Sequence, residues 1–113
     1  MAAGRANRAL PRAAVAVVAL ALSGAGAVAE TLHVAIKDLG FGPTAITARV
    51  GDVIEWTNTD FIAHTATAEN GDFDVEIEPG ATARVTVSKA GVVRYYCVFH
   101  PFMKGTITVT GAG

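Results

Sequence analysis

Three side chains near the C-terminal end, Cys97, His100 and Met103, recur at intervals of three residues within Tyr95-Tyr96-Cys97-Val98-Phe99-His100-Pro101-Phe102-Met103-Lys104-Gly105. A thiolate, an imidazole and a thioether together favour copper, because the soft sulfurs suit the reduced ion and imidazole also serves the oxidised one. Zinc sites more often gather further Cys, His or carboxylate ligands. Taken singly, Cys97 reads as a small buried hydrophobe, His100 as a surface histidine and Met103 as a gap filler. Their common register turns them into a ligand set. Donors on so short a loop converge only if the backbone wraps around the ion. Pro101 restricts that loop and Gly105 lets it return to a strand.

A trigonal site of one thiolate and two imidazoles, with a long axial thioether, needs a second histidine from elsewhere in the chain. His64 is the best candidate, in a segment that follows a strand and lies 33 residues before Cys97. His33 is poorly placed, since it sits in mid-strand on the side away from Leu32, Val34 and Ile36, and reads as a surface residue.

The elements that must position these donors are strands. Leu32 to Ile36 alternates apolar and polar positions, as does Ala83 to Ser88. Between them, Ala45 to Val50 ends at the Gly51-Asp52 turn and Val53 to Thr57 is closed by Asn58-Thr59-Asp60. A short Thr-rich piece around His64 and the polar loop Glu69-Asn70-Gly71-Asp72 form the longest irregular region. Val93, Tyr95 and Cys97 share one face of the next strand, and Thr106 to Thr110 forms the last. With Gly40 to Pro43 read as a break, six or seven short strands at 8- to 12-residue spacing point to a β-sandwich or small barrel. No convincing helical period is present after residue 29.

The first 29 of the 113 residues contain no acid, three arginines (Arg5, Arg8, Arg12) and an apolar run from Ala13 to Leu22. That run is too short to span a bilayer, which takes about 20 apolar residues, and Ala27-Val28-Ala29 matches an A-x-A cleavage pattern. Residues 1–29 are therefore predicted to be a Sec-type export signal cut before Glu30, which places the product in the periplasm or the corresponding envelope space. Residues 30–113 form one domain with six basic residues against all ten acids, a formal charge of −4. That balance excludes a nucleic-acid partner, and the lack of a second apolar segment speaks against a membrane anchor. Cys97 is the only cysteine, so no disulfide can form within the chain, and an unpaired thiol in an oxidising compartment calls for a purpose. A domain of this size buries roughly 60–65% of its unfolded surface, enough for one core but not for a large substrate cavity. A Cys97–His100 nucleophile pair would need such a cavity, and an enzyme is not expected.

The C-x-x-H-x-x-M loop within YYCVFHPFMKGTITV resembles the cupredoxins, the type 1 (blue) copper proteins, and among them the amicyanin and plastocyanin type. Supporting matches are Val50-Gly51-Asp52-Val53 leading to Trp56, the Pro79-Gly80 turn, and Ala90-Gly91 before a Tyr-rich strand that enters Cys97. The resemblance implies an antiparallel Greek-key β-sandwich. It also implies one copper ion held strongly by His64, Cys97 and His100 and weakly, from an axial position, by Met103. The implied function is shuttling of single electrons, by a monomer, between transient redox partners that dock on the apolar surface around His100. Five acids among residues 69–78 (Glu69, Asp72, Asp74, Glu76, Glu78) form either a solvated face or a guide for a basic partner. A carrier that delivers copper itself is the rival reading, since it would use many of the same ligands. Family members commonly have Asn directly after the first ligand histidine, tying the two ligand loops together; here that position is Thr65, whose hydroxyl is the available substitute.

Overall fold

Residues 28–111 are described in the computed structural model; all but the last two residues of the expected export signal lie outside them. Nine strands follow in order: β1 (Thr31–Lys37), β2 (Gly40–Gly42), β3 (Ala45–Arg49), β4 (Val53–Asn58), β5 (His64–Ala68), β6 (Asp74–Ile77), β7 (Thr82–Thr86), β8 (Gly91–Tyr96) and β9 (Lys104–Thr110). They form two sheets, β2-β1-β4-β7 and β3-β9-β8-β5-β6, stacked as a sandwich. The expected all-β sandwich is thus the architecture. The pairing is mixed rather than wholly antiparallel, for β1 runs parallel to β4 and β3 parallel to β9. Alternation along a strand reports which face is buried and is silent on the direction of its neighbour. Among the described residues no helix is long and apolar enough to cross a membrane.

Three of the nine strands, β2, β5 and β6, are not among those marked in the sequence, for physical reasons. The Gly40–Gly42 segment breaks β1 yet turns back to pair with it as a three-residue edge. The Thr-rich piece at His64 is itself a strand, β5, whose Thr and Ala alternate with too little contrast to mark it and four of whose five residues are buried, on both faces. In β6, Val75 and Ile77 do alternate with Asp74 and Glu76, but only over four residues of an acid-rich stretch.

Val34 and Ile36 of β1, Ile54 and Trp56 of β4, and Ile107 and Val109 of β9 turn inward to build the core. At its centre lie four aromatic rings. Tyr95 meets Phe41 edge on at 4.7 Å and Trp56 at 5.5 Å between centroids, while Phe73 sits 5.4 Å from Trp56. Burial pushes the Tyr95 phenol up to about 12, only partly offset by the nearby Trp56 indole, so it stays neutral. Tyr95 is paired in register with Gly105 across β8–β9. A Cβ on residue 105 would lie 2.3 Å from the Tyr95 Cζ, so the ring occupies the space that a side chain would need.

The sandwich is stapled at the entry to β1. Gly51, at φ 100°, makes the β3–β4 turn, and the Asp52 carboxylate that follows accepts the Glu30 and Arg49 backbone N–H groups at 2.9 and 2.8 Å. The Glu30 and Arg49 amides hold this carboxyl below its ordinary range, against a smaller opposing effect of burial. On the outer face of the first sheet, His33 Nδ1 and Arg84 Nη2 both meet Glu55, each at 2.7 Å.

Gly105→Ala is expected to destabilise the protein by about 1–3 kcal/mol in chemical denaturation, as overpacking against the Tyr95 ring does in a filled core. Asp52→Asn is expected to melt at lower temperature than the parent at neutral pH. Since the folded state binds the Asp52 proton less tightly than the unfolded chain, its contribution is complete above the ordinary carboxylate range and fades as pH falls through the lowered value. The gap between the two melting curves therefore closes in acid.

Candidate metal centre

The core delivers its donors to one end of the second sheet. His64 is the first residue of β5, and Cys97 follows the last residue of β8. Because β5 pairs antiparallel with β8, the start of one strand lies beside the end of the other. The segment after Cys97 then makes two successive turns. The His100 N–H donates to the Cys97 carbonyl at 3.2 Å and the Met103 N–H to the His100 carbonyl at 2.8 Å. Bonds of this i to i+3 kind bring every third side chain to the same side, which is the physical meaning of the Cys-x-x-His-x-x-Met spacing. The Cys97 N–H closes the loop on the Met103 carbonyl at 3.2 Å, and β9 leads back into the sheet.

All four expected residues stand at this end of the fold. Cys97 Sγ lies 3.6 Å from His64 Nδ1 and 3.8 Å from His100 Nδ1. The three donor atoms fall within 4.8 Å of one another. Bonds of roughly 2.0 Å to imidazole and 2.3 Å to thiolate, spread at tetrahedral to trigonal angles, give sulfur–nitrogen separations of about 3.5–3.7 Å, close to those found here. The donor set therefore fits a single ion. His64 and Cys97 have no exposed surface and Met103 is 2% exposed, whereas His100 is partly open to solvent. The two imidazoles meet edge on, 5.1 Å apart, with Phe102 against the outer one. His33 lies elsewhere, in the surface pair with Glu55.

Thr65 bridges the two ligand segments. Its backbone N–H donates to Cys97 Sγ at 3.3 Å, and its hydroxyl accepts the Val98 N–H at 2.9 Å. The hydroxyl thus joins the loops at the position where Asn is usual.

Two supporting residues escaped sequence reasoning. Asp60 Oδ2 lies 2.9 Å from His64 Nε2, which places the ring proton on that nitrogen and leaves Nδ1 free to face Cys97. Partial burial pushes the Asp60 carboxyl up, but the Leu39 amide, the His64 ring and the Asp38 amide together outweigh it and hold it below the ordinary range. Those amides belong to the β1–β2 turn, where Asp38 and Leu39 adopt φ 52° and 57° and point both N–H groups at the carboxylate, at 2.8 and 3.0 Å. Asn58, wholly buried, fixes the approach to His64: its side-chain nitrogen donates to the Ile62 and Ile77 carbonyls and its oxygen accepts the Asp60 N–H. In the sequence these residues form an ordinary Asn-Thr-Asp turn; an acid four positions before a ligand histidine was the only available signal.

The cupredoxin-like domain family matches residues 12–109 of the chain. Amicyanin-alpha of Methylorubrum extorquens is 30% identical over 87 residues, which cover 72% of this chain and 73% of that protein. Among solved structures, a purple cupredoxin from Nitrosopumilus maritimus is similar with a TM-score of 0.62 and 26% identity, over 70% of this chain and 99% of that one. Amicyanin from Paracoccus versutus shares the fold with a TM-score of 0.63 at 24% identity, over 70% of this chain and 80% of that one. With a lone buried thiol between two imidazoles, a buried thioether in the same loop and these relatives, the chain belongs to the cupredoxins, of amicyanin-like kind, and carries a site for one type 1 copper ion.

Proposed function

We propose that the protein shuttles single electrons between redox partners outside the cytoplasm and is not an enzyme. Bound copper would supply a one-electron couple between its cupric and cuprous states. His64 Nδ1, Cys97 Sγ and His100 Nδ1 would hold the ion as its strong donors, with the Met103 thioether as a weaker one. The observation that carries this reading is the asymmetry of the two imidazoles around one sulfur: His64 is sealed inside the fold and His100 reaches the surface. A mixed soft and borderline donor set suits neither oxidation state fully, and a rigid sandwich keeps the set from rearranging between them. Sealing two donors inside the fold favours retention of the ion over its delivery.

His100 is the exit for the electron, and its surroundings fit a partner that must leave again. Phe61 is 97% exposed, Phe102 65% and Phe99 51%, with Ile62 and Val98 also open. These residues come from the two segments that carry His64 and His100, and Phe102 packs against the exposed imidazole itself. A patch of this kind suits a weak redox encounter, for which interfaces bury less than about 1,200 Å² in total. The chain acts as a monomer that meets its partners transiently.

Export belongs to the same reading, with residues 1–29 as a cleaved signal and 30–113 as the periplasmic domain. Glu30 N stands 2.9 Å from Asp52 Oδ1. A cut before Glu30 would turn that amide into an ammonium group, adding a charge pair to an existing hydrogen bond.

One equivalent of Cu(II) added to the purified protein is expected to give an intense blue band, bleached by reductant and restored by oxidant, with narrow copper hyperfine splitting. Cys97→Ser is expected to lose the band. A pale complex in the parent would move the weight to copper delivery. Asp60→Ala, which removes the carboxylate behind His64, is expected to weaken copper binding about 10- to 100-fold in competition with a chelator.

A further inference from the structure

The Thr65 hydroxyl raises a question that an Asn side chain would not. It accepts the Val98 N–H at 2.9 Å, and its own proton must then go to another acceptor. Thr67 Oγ1, on the same face of β5, lies 2.9 Å away. Thr67 in turn lies 2.8 Å from Asp74 Oδ1, the residue paired with it in register on β6. An ionised carboxylate only accepts, so Thr67 donates to Asp74 and is left with lone pairs for the Thr65 proton. Thr65 consequently keeps its lone pair for the loop. Reversing the chain would aim the Thr65 proton at the Val98 N–H and leave Asp74 without its bond. The order Val98 N–H, Thr65, Thr67, Asp74 is therefore the only one that satisfies all four groups.

We propose that Thr67 and Asp74 are positioning residues for the metal loop, acting through this directed chain of hydroxyls to hold Val98, and with it Cys97. Neither residue touches a donor atom. The chain ends in a formal charge, so each hydrogen bond in it is polarised in one sense and strengthened by the next. Thr65 holds the Cys97 sulfur with its N–H and the neighbouring amide with its hydroxyl. Freeing that hydroxyl to rotate loosens both grips. One acid of the 69–78 stretch thereby acquires a task distinct from that of a charged surface. The inference deepens the copper reading and rests on it for its second readout only.

The first readout is backbone amide exchange of Val98 in the copper-free protein. Thr67→Val and Asp74→Ala, which removes the terminal acceptor, are expected to speed it at least tenfold, while Thr67→Ser, which keeps a hydroxyl, and Glu69→Gln, which removes a nearby acid outside the hydroxyl chain, leave it unchanged. The second is the reduction potential of the copper protein. Thr67→Val is expected to shift it in the same sense as Thr65→Val, and the double variant to match Thr65→Val alone, because groups acting in series do not add. Unchanged Val98 exchange in Thr67→Val overturns the proposal, as do potential shifts that add in the double variant or an equal shift in Glu69→Gln. Absence of a blue copper form would overturn the copper reading while leaving the exchange result to judge the hydroxyl chain.

Discussion

A sulfur atom held 3.6 and 3.8 Å from two imidazole nitrogens, without contact with water, is the constraint on which the rest of the molecule depends. Burying a thiolate unaided is unfavourable, and two imidazole rings forced together gain little from each other. The arrangement persists because each group is fixed from behind. Cys97 is anchored through Tyr95 to the aromatic core, His64 through Asp60 to a turn of the opposite sheet, and His100 through two tight turns to β8 and β9.

Much of this was legible in the sequence because two of its rules are local. Period-two alternation in Thr31–Lys37 and Val53–Asn58 records one wet and one dry face, and the buried residues follow it. The three-residue spacing of Cys97, His100 and Met103 records the hydrogen-bonded turns that align them. His64 needed a further argument from how a sandwich places its loops, supported by family resemblance.

What stayed hidden is non-local. The strand His64–Ala68 alternates Thr with Ala, a contrast too low to mark a wet and a dry face, and Thr65 on the would-be wet face is buried beneath a loop 33 residues away that leaves no trace in the strand's own pattern. The parallel partners of β1 and β3 are equally invisible, since a strand's face is coded in its own residues and its neighbour's direction in the connections. Asp60 and Asn58 looked like turn formers, and they are; that the same turn also holds a ligand's ring depends on where β1 ends.

The β1–β2 turn has an evolutionary corollary. Exposed turns are ordinarily where a protein accepts insertions and exchanges most freely, because little packs against them. At Asp38 and Leu39 that freedom is withdrawn without any contact with a donor atom, since both amides are committed to Asp60 and both residues sit in the left-handed region. Proline would remove a donor there, β-branched residues would resist the backbone angles, and a lengthened turn would carry the amides away. A surface segment distant in sequence from the Cys97 loop thus carries the backbone constraint usually reserved for an interior, while its side chains stay free to change.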